Sequence, residues 1–151
     1  MKACASQLDS NEMFILDTNV LSELMNTEGA SVVLEWADSI PGNDLFTTAL
    51  SCGEIWYGIA LRDEGRKKNL LIRQAEKMFN EDFRGRILPF DERAALHFAD
   101  ITARRKRLGR RVGIFDSQIA AIARSNEMTV ATRNVSHFRD CDVPLVDPWA
   151  T

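Results

Sequence analysis

Cysteine is scarce in this chain. Cys4, Cys52 and Cys141 are odd in number, widely scattered and form no C-x-x-C pair, which excludes a disulfide framework and a thiolate zinc site. They point to a reducing compartment, and a cytoplasmic location is expected. No apolar run approaches the roughly 20 residues of a membrane-spanning helix. Repeats, low-complexity stretches and internal linkers are also lacking, so 151 residues make one domain with one ordinary core. There is no general excess of positive charge either. A net charge of -3 argues against a generic basic coat for nucleic acid, so any polyanion site has to come from local clustering. The first dozen residues, MKACASQLDSNE, have no apolar segment of the secretory kind. They read as a flexible N-terminal extension, residues 1–12, ahead of a domain spanning 13–151.

What is there is alternation. An apolar strand at 13–16 leads into a helix pattern, NVLSELM, that runs towards Gly29. ASVVLEWADSI repeats apolar residues at helical spacing and stops at the turn cluster PGND. LFTTA is strand-like and feeds the amphipathic LSCGEIWYGIALR; residues 66–83 form a polar helix with an apolar stripe, and GRILPF is a short strand. A long helix follows, with Asp91 as its expected N-cap and Gly109 as its stop. IFDSQIAAIARSNE is predicted as a helix opening on Asp116 after a strand, MTVATRN as a strand and PLVD as a last extended piece. Short strands alternating with helices predict an α/β fold, a mostly parallel sheet flanked by helices.

In open sheets of this class the functional crevice lies outside the carboxyl ends of the strands. Asp17 follows the strand FIL, Glu54 lies in the first turns after LFTTA, Asp116 opens its helix and Asn134 ends a strand. Singly, Asp17 and Asp116 also read as helix caps, Glu54 as part of a solvated face and Asn134 as a turn residue. Together they form an oxygen-only set at one sheet edge. Such a set suits Mg²⁺ or Mn²⁺ rather than zinc, because crowded carboxylates need a cation to neutralise them. A cation held there favours hydrolysis of a phosphodiester without a side-chain nucleophile.

FILDTNVLSE, TTALSCGEIWYGI, GIFDSQIAAIA and VATRNVSHF, in that order, resemble the motifs of PIN-domain ribonucleases, and more narrowly of VapC and FitB-like toxins of type II toxin–antitoxin systems. The resemblance spans residues 13 to about 149 and implies a three-layer α/β domain. It places the family's acids on Asp17, Glu54 and Asp116, and its fourth position, commonly an acid, on Asn134, with His137 nearby. It further implies a homodimer, an antitoxin protein that occludes the site, and Mg²⁺-dependent RNA cleavage leaving a 5′-phosphate and a 3′-hydroxyl. An amide at Asn134 still holds a metal-bound water or a phosphate.

RRKRLGRR, residues 104–111, packs six cations into eight positions, and Arg104, Arg105, Arg107 and Arg110 are the expected contacts to RNA phosphates. The bland reading of that stretch is a solvated helix end that favours the helix dipole. His97 is read as a half-buried structural histidine, and Trp36, Trp56, Tyr57 and Trp149 as packing or dimer anchors. Two other readings stand beside the nuclease. One is a catalytically weakened PIN-like module that binds nucleic acid or a partner. The other is a haloacid-dehalogenase-like phosphatase, against which DTN lacks the second acid of a D-x-D pattern.

Overall fold

The computed structural model describes residues 12–26, 28–111 and 113–151. The expected extension therefore lies almost wholly outside the described residues. Its last residue, Glu12, is placed, and its carboxylate accepts a 3.0 Å hydrogen bond from Thr129 Oγ1.

In chain order the elements are β1 (Phe14–Leu16), α1 (Thr18–Met25), α2 (Ser31–Asp38), β2 (Leu45–Thr48), α3 (Ala49–Ala60), α4 (Arg66–Lys77), β3 (Ile87–Leu88), α5 (Glu92–Arg107), α6 (Ile114–Asn126), β4 (Thr129–Ala131) and β5 (Leu145–Val146). The five strands form one parallel sheet in the order β3-β2-β1-β4-β5. β1 is central, with Phe14 and Ile15 beside Leu45 and Phe46 on one flank and beside Thr129 and Val130 on the other.

Alternation along β1 sorts the helices into layers. Phe14 and Leu16 pack with Val20, Leu21, Val33, Ile55 and Ala75, which belong to α1 through α4. Ile15 points to the opposite face and packs with Ala94 and Ile101 of α5 and Ile119 and Ile122 of α6. A strand buried on both faces has to read as an unbroken apolar run, and all three residues of β1 are buried. Helices on both sides of a parallel sheet complete the three-layer architecture.

The helix ends follow local chemistry. Asp91 caps α5 by accepting from Ala94 N–H at 3.0 Å. α1 stops at Asn26, before Gly29, and there a glycine is required: a Cβ on residue 29 would lie 2.6 Å from the carbonyl oxygen of Glu23. The polar helix expected over 66–83 loosens after Lys77 into one wider turn, Met78–Asp82, which closes with Phe83 N–H donating to Met78 C=O at 2.8 Å.

One expectation is corrected. No strand leads to Asp116: α5 ends at Arg107, the described residues on either side of position 112 form no strand, and α6 begins at Ile114 behind Gly113. Gly109, at φ +69°, turns the chain, and the charged run around it gives no two-sided apolar strand to add to the sheet. Asp116 is therefore the third residue of its helix rather than its cap.

Candidate functional site

The strand order places the site. The chain moves outward from β1 to β2 and β3 on one side, then returns to lay β4 and β5 on the other. The reversal falls between β1 and β4, the position at which open sheets of this class carry their functional crevice. Asp17 leaves β1 at that point, and Thr132 and Asn134 leave β4.

Asp17 is buried, at 7% exposure, and both of its carboxylate oxygens are engaged. Oδ1 accepts from Thr18 N–H at 2.8 Å, so the residue also caps α1, and Oδ2 accepts from Thr132 Oγ1 at 2.8 Å. Thr132 is a junction. Its Oγ1 also accepts from Asn134 N–H at 3.0 Å and lies 3.4 Å from Asn19 Nδ2, which ties the two strand ends together. Glu54, half-buried on α3, accepts from Thr18 Oγ1 at 2.6 Å through Oε2.

Asp116 is half-buried and enters from the opposite layer on α6. Its carboxyl is pushed above the ordinary range, first by burial and then by the negative charge of Asp17. Glu54 adds to that effect, while His137 and Arg105 oppose it. Asp116 thus feels the charge of both Asp17 and Glu54, although the three come from separated stretches of chain. His137 Nδ1 lies 3.6 Å from Asp116 Oδ2. The approach to Asp116 is close on its own loop too: a Cβ on Gly113 would sit 3.0 Å from Oδ2.

The acids do not make a closed cage. Among the described residues no three His, Cys, Asp or Glu side chains are spaced to enclose an ion by themselves. An open, all-oxygen arrangement nevertheless fits Mg²⁺, which keeps several waters and binds through one or two carboxylates together with substrate phosphates. The raising of Asp116 by burial and by the negative charge of Asp17, against the opposing His137 and Arg105, is the second observation in favour of a cation here.

Asn134 is exposed and bonded through its backbone N–H, and it is His137 that reaches Asp116. Of the cations expected along an exposed row, Arg104, Arg107 and Arg110 are at the surface. Arg105 is corrected: it is 5% exposed, its Nη1 donates to Ser117 Oγ at 3.3 Å and its Nη2 to His137 C=O at 2.9 Å. A guanidinium so held pins α5 to α6 and to the segment after β4, and it is not free to lie along a surface phosphate. Helical spacing explains this, since Ile101 and Arg105 sit one turn apart on the inward face.

Thr18, Thr132 and Ser117 were missed by sequence reasoning, because hydroxyls at the ends of short elements look like ordinary caps and turns. The hydroxyl of Thr132 in ATRN, two residues before the candidate amide, is the one signal that could have been weighed. His97 is half-buried on α5, as expected. Trp36 packs edge-on against Phe14 at 5.3 Å between ring centres, Trp56 lies against Phe79, and Trp149 lies under the Arg133 guanidinium. Cys52 and Cys141 are free thiols, and no helix is long and apolar enough to cross a membrane among the described residues.

Residues 14–143 match the model of the PIN domain. Over 137 residues the chain is 39% identical to Toxin FitB of Neisseria gonorrhoeae, covering 91% of this chain and 99% of the relative. It is 34% identical to the VapC ribonuclease Y4jK of Sinorhizobium fredii, with coverage of 91% and 98%. Its structure is similar to that of a chain in FitAB bound to an IR36 DNA fragment, with a TM-score of 0.85, 39% identity, and coverage of 91% of this chain and 96% of that one.

Proposed function

The chain belongs to the PIN-domain family, in the branch that holds Toxin FitB and the VapC ribonucleases, and on that premise we propose that it is a metal-dependent endoribonuclease acting as the toxin of a toxin–antitoxin pair. The observation that supports this reading is that Asp116, on the far layer, feels the charge of both Asp17, at the end of β1, and Glu54, on the helix after β2. Asp17 and Asp116 would hold a Mg²⁺ or Mn²⁺ ion directly, and Glu54 and Asn134 through water. The ion supplies polarisation of a phosphodiester oxygen and acidification of a water.

The remaining work falls to side chains of this chain. Thr132 and the first N–H of α1 fix the Asp17 carboxylate, and Thr18 fixes that of Glu54, so the acids meet a substrate already oriented. Arg105 holds the backbone carbonyl of His137 and thereby keeps that ring beside Asp116. The RNA backbone, drawn by surface arginines, is held mostly without reading sequence. Homologous structures of toxin–antitoxin complexes, FitAB among them, support a cognate antitoxin as this chain's protein partner. A homodimer is part of the same proposal.

The test is cleavage of a single-stranded RNA by the purified protein in Mg²⁺. Asp17→Asn, Glu54→Gln and Asp116→Asn are each expected to lower the rate by about a hundredfold or more, on the scale of losing one preorganised electrostatic contact. A variant that kept near wild-type rate would remove its residue from the site. Loss of none of the three activities, or no cleavage by the wild type, would favour the second reading, a PIN-like binding module, for which the exposed amide of Asn134 in place of a fourth acid is the supporting observation.

A further inference from the structure

The acidic crevice has a positive neighbour. Beside Asp116 the connection between α5 and α6 and the segment after β4 enclose a cleft of about 350 Å³, lined by Arg105, Arg110, Arg111, Arg139, His137 and Asp116 among others. Four arginines thus contribute to a lining that holds one carboxylate, Asp116.

Those four are not equivalent. Arg110 is matched by Asp140, with Nε to Oδ2 at 2.9 Å. Arg105 is buried beneath the cleft, and its Nε has no acceptor among the described residues. Arg111 and Arg139 are exposed and meet no carboxylate among the described residues. At the same place α6 starts without a capping side chain, so its first-turn N–H groups add positive potential. Two surface arginines left unmatched describe a receptor for a planar or tetrahedral oxyanion, which guanidinium forks bind in pairs.

We propose that this cleft is a phosphate subsite of the ribonuclease, in which Arg111 and Arg139 hold a backbone phosphate of the RNA next to the one presented to Asp17 and Asp116. The inference rests on the ribonuclease reading for the identity of the ligand. It moves the phosphate contact off the last turn of α5, where Arg104 and Arg107 lie, to the two segments that border Asp116. An RNA strand is favoured over an acidic protein segment by position, because the cleft shares Asp116 and His137 with the acidic site and a phosphate seated there is contiguous with a substrate. The subsite also offsets the repulsion that Asp17, Glu54 and Asp116 exert on any polyanion.

The experiment measures binding of a labelled single-stranded RNA as a function of salt, in EDTA and on an Asp17→Asn background so that the strand stays intact. Adding Arg111→Ala and Arg139→Ala together is expected to weaken affinity on the order of tenfold and to flatten the log–log salt slope by about 1.4, two contacts at roughly 0.7 each on a single strand. Arg111→Lys with Arg139→Lys keeps the slope, because the charge remains, but loses part of the affinity with the fork. An unchanged slope in the alanine pair overturns the subsite, and so does a polyglutamate peptide that occupies the cleft and is not displaced by RNA. The two readings separate cleanly. Wild-type cleavage with an unchanged slope removes the subsite alone, whereas a flattened slope without wild-type cleavage supports the phosphate site and removes the enzyme.

Discussion

Asp116 shows how a single residue carries two opposed demands. Its carboxyl is raised by burial and by Asp17, with Glu54 adding, against the lowering influence of His137 and Arg105. A group whose folded pKa lies above its unfolded value contributes stability that is complete below the unfolded value and is lost as pH rises through the folded one. In the metal-free protein the ionised Asp116 therefore destabilises the fold at neutral pH. Asp116→Asn is expected to unfold at a higher temperature than the parent at neutral pH in EDTA, and the advantage should shrink as pH falls through the raised folded value and be gone below the ordinary carboxylate value, where the parent carboxyl is protonated in both states. A variant less stable than its parent at neutral pH would show that the carboxylate is held by attraction rather than endured. Arg105 teaches the converse: a cation in a basic run is buried because its position on the helix faces inward, whatever its neighbours in sequence do.

At the level of elements, the site depends on how α3 leaves β2. Thr48 is fully buried, and its Oγ1 accepts from Ser51 N–H at 3.1 Å, which caps the helix that carries Glu54 on its second turn. Thr48→Ala is expected to cost about 1–2 kcal/mol, the usual loss of an N-cap, and Thr48→Ser to recover most of it. A urea unfolding midpoint measures both, and equal midpoints for parent and alanine variant would mean that Ser51 finds another acceptor. The same logic of local chemistry explains why α5 begins behind its expected cap, Asp91, and why α1 begins behind Asp17, the alternative reading of that residue, while α6 begins behind an uncapped Gly113 that spacing alone did not reveal.

Over the whole molecule the balance of charge is slightly negative, at -3, yet its distribution is polarised: Asp17 and Glu54 act on Asp116, and four arginines line the cleft beside that residue. An acidic crevice of this kind binds a divalent cation only when the fold has assembled it, so the cation favours the native state. With Mg²⁺ at about a hundred times its dissociation constant, the gain is roughly 2.7 kcal/mol, and for a chain of this size the melting temperature should rise by about 5–10 °C. EDTA should reverse the shift and Asp17→Asn should abolish it. A melting curve indifferent to Mg²⁺ would separate the acids from metal binding altogether.

The alternation of strands and helices, the burial of FIL and the acids that follow strands were legible in the chain itself, because periodicity and capping are local and each needs only a few neighbouring residues. Asp91 as the start of α5 is of this kind. Tertiary structure alone decided the rest. The order β3-β2-β1-β4-β5 brings Thr132 to Asp17 across 115 positions of sequence, and helix packing across the sheet brings Asp116 under the charge of both Asp17 and Glu54. The same packing separates Arg105 from its basic neighbours and assembles Arg111 with Arg139, residues that no window of sequence places together. Contacts of that range depend on which faces of the elements are buried against one another, and burial is a property of the assembled layers rather than of any one stretch of chain.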